Sequence, residues 1–346
     1  MWLIGSLLVG LGSIPAGWLS DRWSRSGMIA TMFIGLGLAS IFCGLSEQKM
    51  TLMINLSLLG LFCSIYHPAG ISWVVNFSRD TGRALGFNNI FGGVGIGLGA
   101  LISGFIIDYY NWQMAFIIPG VVSLAFGIGL SWHIFSNHIS LKNVQSDKFS
   151  QNPKKSDYFK IIIIMLVSIT SLGFVFQILQ TSLPKIIEIR LTESLGLDTF
   201  NIGVIIAFIY IISGLMNYAG GILADSYSEK LIYVSGILGQ SILFFFLANF
   251  FSYWLIIFAF MIVAVNSSIL PAENILLARI APSQYQSLVY GIKFIISFSI
   301  GPLAVFLISK SYEMTQDFYF LYLISGVMLL FLFPLVASLP IKRKMS

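Results

Sequence analysis

The stretch GWLSDRWSRS, residues 17–26, returns 204 residues further on as GILADSYSEK, residues 221–230, setting Gly17 on Gly221 and Asp21 on Asp225. Two more anchors keep nearly the same spacing. HPAG at His67–Gly70 aligns with LPAE at Leu270–Glu273, its proline displaced by 203, and ALGFNNIF from Ala84 aligns with VYGIKFII from Val289, Gly86 falling on Gly291 at 205. Three anchors across about 75 residues mark an internal duplication, and a duplication constrains the architecture before any single segment is assigned.

Between the anchors the chain is apolar. Of its 346 residues 57% are hydrophobic and only 10% charged, against roughly 25% charged in an average soluble domain. So few charges cannot cover a water-facing surface, and a mean hydropathy of +0.89 over the whole length agrees. The solvent for most of this chain is lipid. The net charge of +5 does not point to nucleic acid, because the basic residues sit in short turns between apolar blocks. Cys43 and Cys63 both lie inside apolar runs, which suggests no disulfide framework.

Runs of about 20 apolar residues are needed to cross some 30 Å of hydrocarbon as helix. Eleven are present: Met1–Leu19, Gly27–Leu45, Met50–Phe77, Ala84–Ile107, Gln113–Phe135, Ile161–Leu183, Phe200–Leu223, Leu231–Asn249, Tyr253–Ala278, Ser287–Ser309 and Phe318–Leu339. Backbone groups in hydrocarbon must be satisfied internally, so runs this long are helices; barrel strands would be half as long and alternate in polarity. With the Asp21–Ser26 turn placed in the cytoplasm, fourteen of nineteen Lys and Arg fall on that side, four on the other, and Lys293 within a segment. The cytoplasmic set includes Lys142, Lys148, Lys154, Lys342, Arg343 and Lys344. The bias gives the orientation and supports the count. A polar stretch with five lysines, residues 136–160, is expected to be a cytoplasmic linker between an N-terminal bundle (1–135) and a C-terminal bundle (161–346).

The repeat pairs segments one to five with seven to eleven in the same orientation. Segment six has no partner, and segment one must start outside although no basic leader precedes it. Both facts lead to the expectation of a six-plus-six parent whose first helix is absent here. The expected fold class is therefore an all-α membrane protein with two parallel six-helix repeats, eleven of twelve helices present.

Parallel repeats of this kind are one transporter plan, and the residues now support a family resemblance. Gly17, Asp21, Arg22 and Arg25, as G-x-x-x-D-R-x-x-R, resemble the loop signature between the second and third helices of the major facilitator superfamily, with a weaker copy at Asp225. YHPAG (66–70), RDTGRALG (79–86) and NWQMAF (111–116) resemble its fosmidomycin-resistance-like permease branch. Departures are Ser24 and Ser26 in the first loop, Ser226 and Ser228 in the second, and a glycine-rich Gly92–Gly104 without the proline of the antiporter motif. The resemblance implies a conformational latch of Gly17, Asp21, Arg22, Arg25 and Asp225, with Arg79 or Arg83 opposite. The competing reading is a charged turn that only fixes topology. Gly93/Gly97 and Gly95/Gly99, four apart, are expected to serve close helix packing.

Ionisable groups in hydrocarbon are costly and mark functional sites by default. Glu273 and Lys293 stand nine residues before and eleven after Pro282, so each lies roughly 13–17 Å along a helix from that turn. They are the expected coupling pair, whether static or titrating. His67, beside Pro68 in a kinked stretch, is the third coupling candidate, or else a donor to the carbonyl that the proline frees. The resemblance puts the cavity on segments three, six and nine. Thr170, Phe174, Gln177, Gln180 and Thr181 on segment six, Asn266 on segment nine and Tyr210 on segment seven are the substrate-binding candidates, though each could equally be helix–helix contact. An amide and hydroxyl lining without arginine suits a small polar or amphipathic organic solute.

The implied function is secondary transport by alternating access in a multi-pass inner-membrane permease, bacterial and monomeric. Its partners are lipid, a small solute and protons as one option for the coupling ion; no nucleic acid, cofactor or metal is expected. No G-x-x-x-x-G-K-[ST] loop is present. A membrane-embedded transferase is disfavoured by scattered carboxylates, with His133 and His138 at the edge of the central loop. A truncated permease that does not transport is the other alternative.

Overall fold

The computed structural model describes residues 3–136, 155–197 and 199–340. The linker for the most part, His138, and the lysines and arginine at 142, 148, 154 and 342–344 lie outside the described residues. Among those described, regular structure is helical throughout: α1 (Leu3–Leu11), α2 (Ser13–Arg22), α3 (Arg25–Gly44), α4 (Lys49–Cys63), a π-turn (Tyr66–Gly70), α5 (Ile71–Phe77), α6 (Thr81–Tyr109) and α7 (Met114–Phe135). The chain continues as α8 (Lys155–Leu195), α9 (Thr199–Ser226), α10 (Glu229–Asn249), α11 (Trp254–Ile280), a 3-10 turn (Ser283–Tyr285), α12 (Gln286–Ser299), α13 (Gly301–Thr315) and α14 (Tyr319–Ala337).

Every apolar run read from the sequence is helix, but three are interrupted. The first breaks at Gly12, where any Cβ would run into the Ser64 hydroxyl. The third passes through the π-turn at Pro68, whose ring removes a donor from the ladder. The carbonyl so freed, that of Ser64, is faced by the Ser13 hydroxyl at 3.4 Å. The tenth breaks at Ile300, and Pro302 opens α13, where a missing N–H costs nothing. Helix α8 is longer than expected, 41 residues, because Lys155–Lys160 continue it into the linker stretch and Pro184–Leu195 extend it beyond the apolar run. It stops at Gly196, whose φ of +61° lies in the left-handed region that favours glycine.

Nine helical segments among the described residues are long and apolar enough to span a membrane. Their outward faces are apolar: on α7, Val121, Val122, Phe126 and Ile128 are all exposed. Exposed tryptophans and tyrosines gather at helix ends, among them Trp23, Tyr109, Tyr110, Trp132, Tyr253 and Trp254, where amphipathic rings meet the headgroup level.

Contacts divide the chain into two compact units, and each draws on both halves of the sequence. The first comprises Met1–Ser78, Ala100–Gln151 and Leu277–Ser299; the second comprises Arg79–Gly99, Asn152–Leu276 and Ile300–Ser346. In the first, small residues let α3 and α7 approach closely: Gly37 lies on Leu124 and the Gly120 carbonyl, and Gly44 lies on Ile117. The Ser40 and Ser123 hydroxyls donate across the same seam to Phe116 O (2.7 Å) and Phe33 O (2.9 Å). Ala16, Met28, Ile29, Met32, Ile65 and Ala69 form a buried cluster beside it.

In the second unit Ser241 on α10 donates to Gly326 O on α14 at 2.7 Å, and the Ser182 hydroxyl on α8 pairs with Tyr322 at 2.8 Å. The glycines of α6 differ from the expectation of uniform close packing. Gly93 meets Gly214 and the Tyr210 carbonyl, while Gly92, Gly95 and Gly99 face open space among the described residues. Of these four, only Gly93, turned toward α9, has a neighbouring backbone to approach.

Candidate functional site: two capped turns and a buried polar core

The duplicated loop makes the same device twice. In the first unit, the Asp21 carboxylate at the end of α2 accepts from the backbone N–H groups of Ser287 (3.1 Å) and Leu288 (2.9 Å), in the first turn of α12. Helix N-termini present unpaired donors and a positive dipole end, so a carboxylate there is stabilised by both. Arg25, four residues on, donates to Asp21 from Nη2 at 3.1 Å, and the side chains are 2% and 3% exposed. Arg25 also reaches Ser287 Oγ at 3.3 Å, and Ser287 Oγ pairs with Ser72 Oγ at 2.6 Å. Asn76 donates to Gln286 at 2.7 Å. This contact requires Gly17 and Gly291: a Cβ on the first would strike the Ser287 carbonyl, and on the second the Ser13 carbonyl.

In the second unit, Asp225 at the end of α9 accepts from Gly82 N (2.7 Å) and Arg83 N (2.8 Å), in the first turn of α6. Gly221 and Gly82 lie backbone to backbone, and Gly86 lies on the Asn217 carbonyl. Each partner here is the repeat counterpart of one in the first unit. The second copy has lost the arginine: Glu229 stands where the first has Arg25, and Asp225 is exposed.

The sequence expectation gave Arg79 and Arg83 a guanidinium role. The structure places both side chains at exposed positions, Arg79 in the turn before α6 and Arg83 in the first turn of α6, where it makes a surface pair with Asp80 at 3.7 Å. It is the Arg83 backbone that meets a latch carboxylate. The Arg22 guanidinium lies over the Trp18 ring at 4.4 Å.

Of the coupling candidates, Glu273 belongs to the second unit, and Lys293 and His67 to the first. Glu273 is 3% exposed inside α11. It accepts from the Tyr233 hydroxyl of α10 at 2.9 Å, and that hydroxyl pairs with Ser168 of α8 at 2.6 Å. Two helical turns away, Asn266 donates to Gln240 Oε1 at 2.9 Å. The pairs 240/266 and 233/273 follow from antiparallel α10 and α11, each helix repeating a polar residue at seven-residue spacing. His67 stacks on Phe294 of α12, and Lys293 is 5% exposed on the same helix.

Thr170, Phe174, Gln177 and Gln180 are half-buried along α8, with the Gln177 amide against Gly301. Asn266 is spent on Gln240, and Tyr210 is buried at the α6 contact.

Arg190, one of the four basic residues that the sequence puts on the side opposite the Asp21–Ser26 turn, does more than set topology. It holds Asp317 from Nε (2.9 Å) and Nη2 (2.5 Å), donates from Nη1 to the Leu247 and Phe250 carbonyls (both 3.0 Å) and stacks on Phe251. Asp317 in turn accepts from Tyr319 N at 2.7 Å. The guanidinium thereby satisfies the end of α10, and its carboxylate partner caps α14. A lone arginine at the end of an apolar run carries no sign of this.

Among the described residues, then, the chain is an all-helical, multi-pass scaffold with a carboxylate-capped turn made twice and a carboxylate buried within an apolar helix. The sequence profile of the Major Facilitator Superfamily matches residues 1–192 and 173–344, and the chain belongs to that family. It is 28% identical over 123 residues to a niacin transporter of Acinetobacter baylyi, a match covering 35% of this chain and 28% of that protein. The chain thus matches little more than a quarter of that relative's length. Its fold is similar to the E. coli fucose:proton symporter, with a TM-score of 0.76 and 12% identity over 97% of this chain and 90% of that one. A proton:xylose symporter bound to 6-bromo-6-deoxy-D-glucose gives 0.70 and 16%, over 97% and 85%.

Proposed function

We propose that the protein is a proton-coupled secondary transporter of a small organic solute, a monomer in a bacterial inner membrane, of the fosmidomycin-resistance-like permease branch. The two repeat bundles, residues 1–135 and 161–346, rock about a central site, and the capped turns at Asp21 and Asp225 hold one access state. Thr170, Phe174 and Gln177 face the solute. Fold relatives that are proton symporters support the coupling ion, and a relative that is a niacin transporter supports a small organic solute.

The observation that carries the reading is Glu273: a carboxyl group 3% exposed within an apolar helix, bonded to Tyr233. A charge so placed is costly to keep for packing alone, and a carboxyl group can exchange a proton as access alternates. The test uses proteoliposomes loaded at neutral pH, diluted into acidic buffer, and supplied with a panel of radiolabelled organic acids, amides and sugars. Wild type accumulates at least one solute above equilibrium. Glu273→Gln abolishes accumulation but retains exchange of internal for external solute. Full gradient-driven accumulation by Glu273→Gln would overturn proton coupling at this residue, and sodium-dependent accumulation would reassign the ion.

A further inference from the structure

We propose that α1 and α4 form a jointed lid on the side opposite the Asp21–Ser26 turn, swinging as one piece at Gly12 and Ser64–Gly70 and latched to α3 by Asn55. As a joint it stands on the geometry of the first unit alone. As a lid over a solute path it rests on the transport reading above.

The two helices break where they touch. A Cβ on Gly12 would strike the Ser64 hydroxyl, and each helix is weakened at that level in two ways. Pro15 and Pro68 withhold the N–H groups that the Leu11 and Ser64 carbonyls would accept. Ser13 and Ser64 turn their hydroxyls back on Val9 O (2.8 Å) and Leu61 O (2.6 Å), a kind of bond that bends helices. Kinks have such causes rather than a general softness. The π-turn that follows Ser64 is a rare interruption that recurs at functional sites.

The pieces on either side of the break are held differently. On the far side α1 and α4 are clamped together, because Gly5 and Gly60 lie backbone to backbone and neither arm bends without the other. On the near side α2 and α5 are tied to the first turn of α12 by Asp21, by Ser72 to Ser287 (2.6 Å) and by Asn76 to Gln286 (2.7 Å). His67 of the π-turn stacks on Phe294 of α12 at 4.0 Å. That half is a fixed base. An amide ties the lid to α3: Asn55 Nδ2 donates to Phe42 O and Ser46 Oγ, both at 3.0 Å.

The duplication supplies the control. In the second copy α9 runs unbroken, with Met216 and Ala219 at the places of Gly12 and Pro15, and α11 stays helical through Pro271. Ala259 stands where the first copy has Asn55. Joint and latch occur together in one copy and are lost together from the other, as parts of a single device are.

The experiment places nitroxide labels in the full-length protein in lipid nanodiscs, carrying Cys43→Ala and Cys63→Ala. One pair, Met50→Cys with Tyr110→Cys, spans the far end of the lid and the start of α7; the other, Leu19→Cys with Trp132→Cys, spans the base. All four positions are exposed. Rocking of a whole repeat bundle leaves both distances fixed, so the pairs report bending alone. A bend of about 20° at Ser64 moves residue 50, about 21 Å away along α4, by roughly 7 Å. Double electron–electron resonance is expected to give two outer distances differing by about that amount, and one inner distance. Asn55→Leu raises the ratio of displaced to seated lid about 10-fold, the worth of two ordinary hydrogen bonds. Pro15→Ala with Pro68→Ala returns the outer pair to one distance. A single outer distance without those proline changes, or a distribution that Asn55→Leu leaves unchanged, overturns the proposal. Should the labelled protein fail to fold, hydrogen exchange on the unaltered chain decides it. Residues 8–15 and 60–70 are expected to exchange faster than their repeat counterparts 212–219 and 264–273, and equal protection overturns the joint. Two outer distances with no solute taken up keep the joint and sink the transport reading; uptake with one outer distance does the reverse.

Discussion

Replacing Asp21 with asparagine separates the two capped turns by their burial. Asp21 accepts from two backbone N–H groups and from Arg25, and both side chains of the ion pair are nearly inaccessible, at 3% and 2%. The amide keeps the shape but removes the charge, leaving a buried guanidinium without its counter-ion. Breaking a buried pair in this way costs about 3–5 kcal/mol. Asp225 accepts one backbone N–H on each carboxylate oxygen, in an exposed position, so Asp225→Asn loses the water-exposed bond at the oxygen its amide nitrogen replaces and the helix-dipole contact, together about 1 kcal/mol. At roughly 2 °C per kcal/mol for a chain of this size, the expected losses are about 6–10 °C and about 2 °C. Size-exclusion chromatography of detergent-solubilised protein after heating measures both without favouring either unit. Asp21→Asn combined with Arg25→Met should regain about half the loss, because the stranded cation causes most of it. Equal losses for the two aspartates, or a double variant no better than Asp21→Asn, would refute the reasoning.

Alanine scanning of α6 should be uneven: Gly93→Ala presses on Gly214 and the Tyr210 carbonyl and lowers the yield of monodisperse protein, whereas Gly95→Ala and Gly99→Ala, facing open space, leave it unchanged. The readout is the monodisperse fraction in fluorescence-detected chromatography. Arg190→Lys keeps the charge but cannot hold Asp317 with two nitrogens while reaching Leu247 O and Phe250 O. A loss of about 3 kcal/mol is expected, two charge-assisted hydrogen bonds at roughly 1.5 kcal/mol each, seen as a lower unfolding temperature and faster proteolysis near Phe250.

The helices were legible because lipid demands long apolar runs, a signal spread over twenty residues at a time. The repeat located both capped turns, since Gly17/Gly221 and Asp21/Asp225 are visible by eye. The breaks at Gly12 and Ile300 were missed: each lies in an unbroken apolar run, and what interrupts the helix is a neighbour, Ser64, or a Gly-Pro pair that could equally sit inside a kinked span. The Tyr233–Glu273 and Gln240–Asn266 pairs needed the register of α10 against α11, which no single segment contains. Arg190 escaped for the same reason, since its partners lie 57 to 127 residues away.

Across each junction the two loop carboxylates read main chain, with Arg25 beside Asp21 as a side-chain donor. The residues that donate to them, at 82, 83, 287 and 288, are Gly, Arg, Ser and Leu, a set with nothing in common except an amide hydrogen. Such a contact leaves no covariation for evolution to record. The accepting aspartate can stay while the side chain at 83 or 288 changes, and a search for paired substitutions would pass over the fastening altogether.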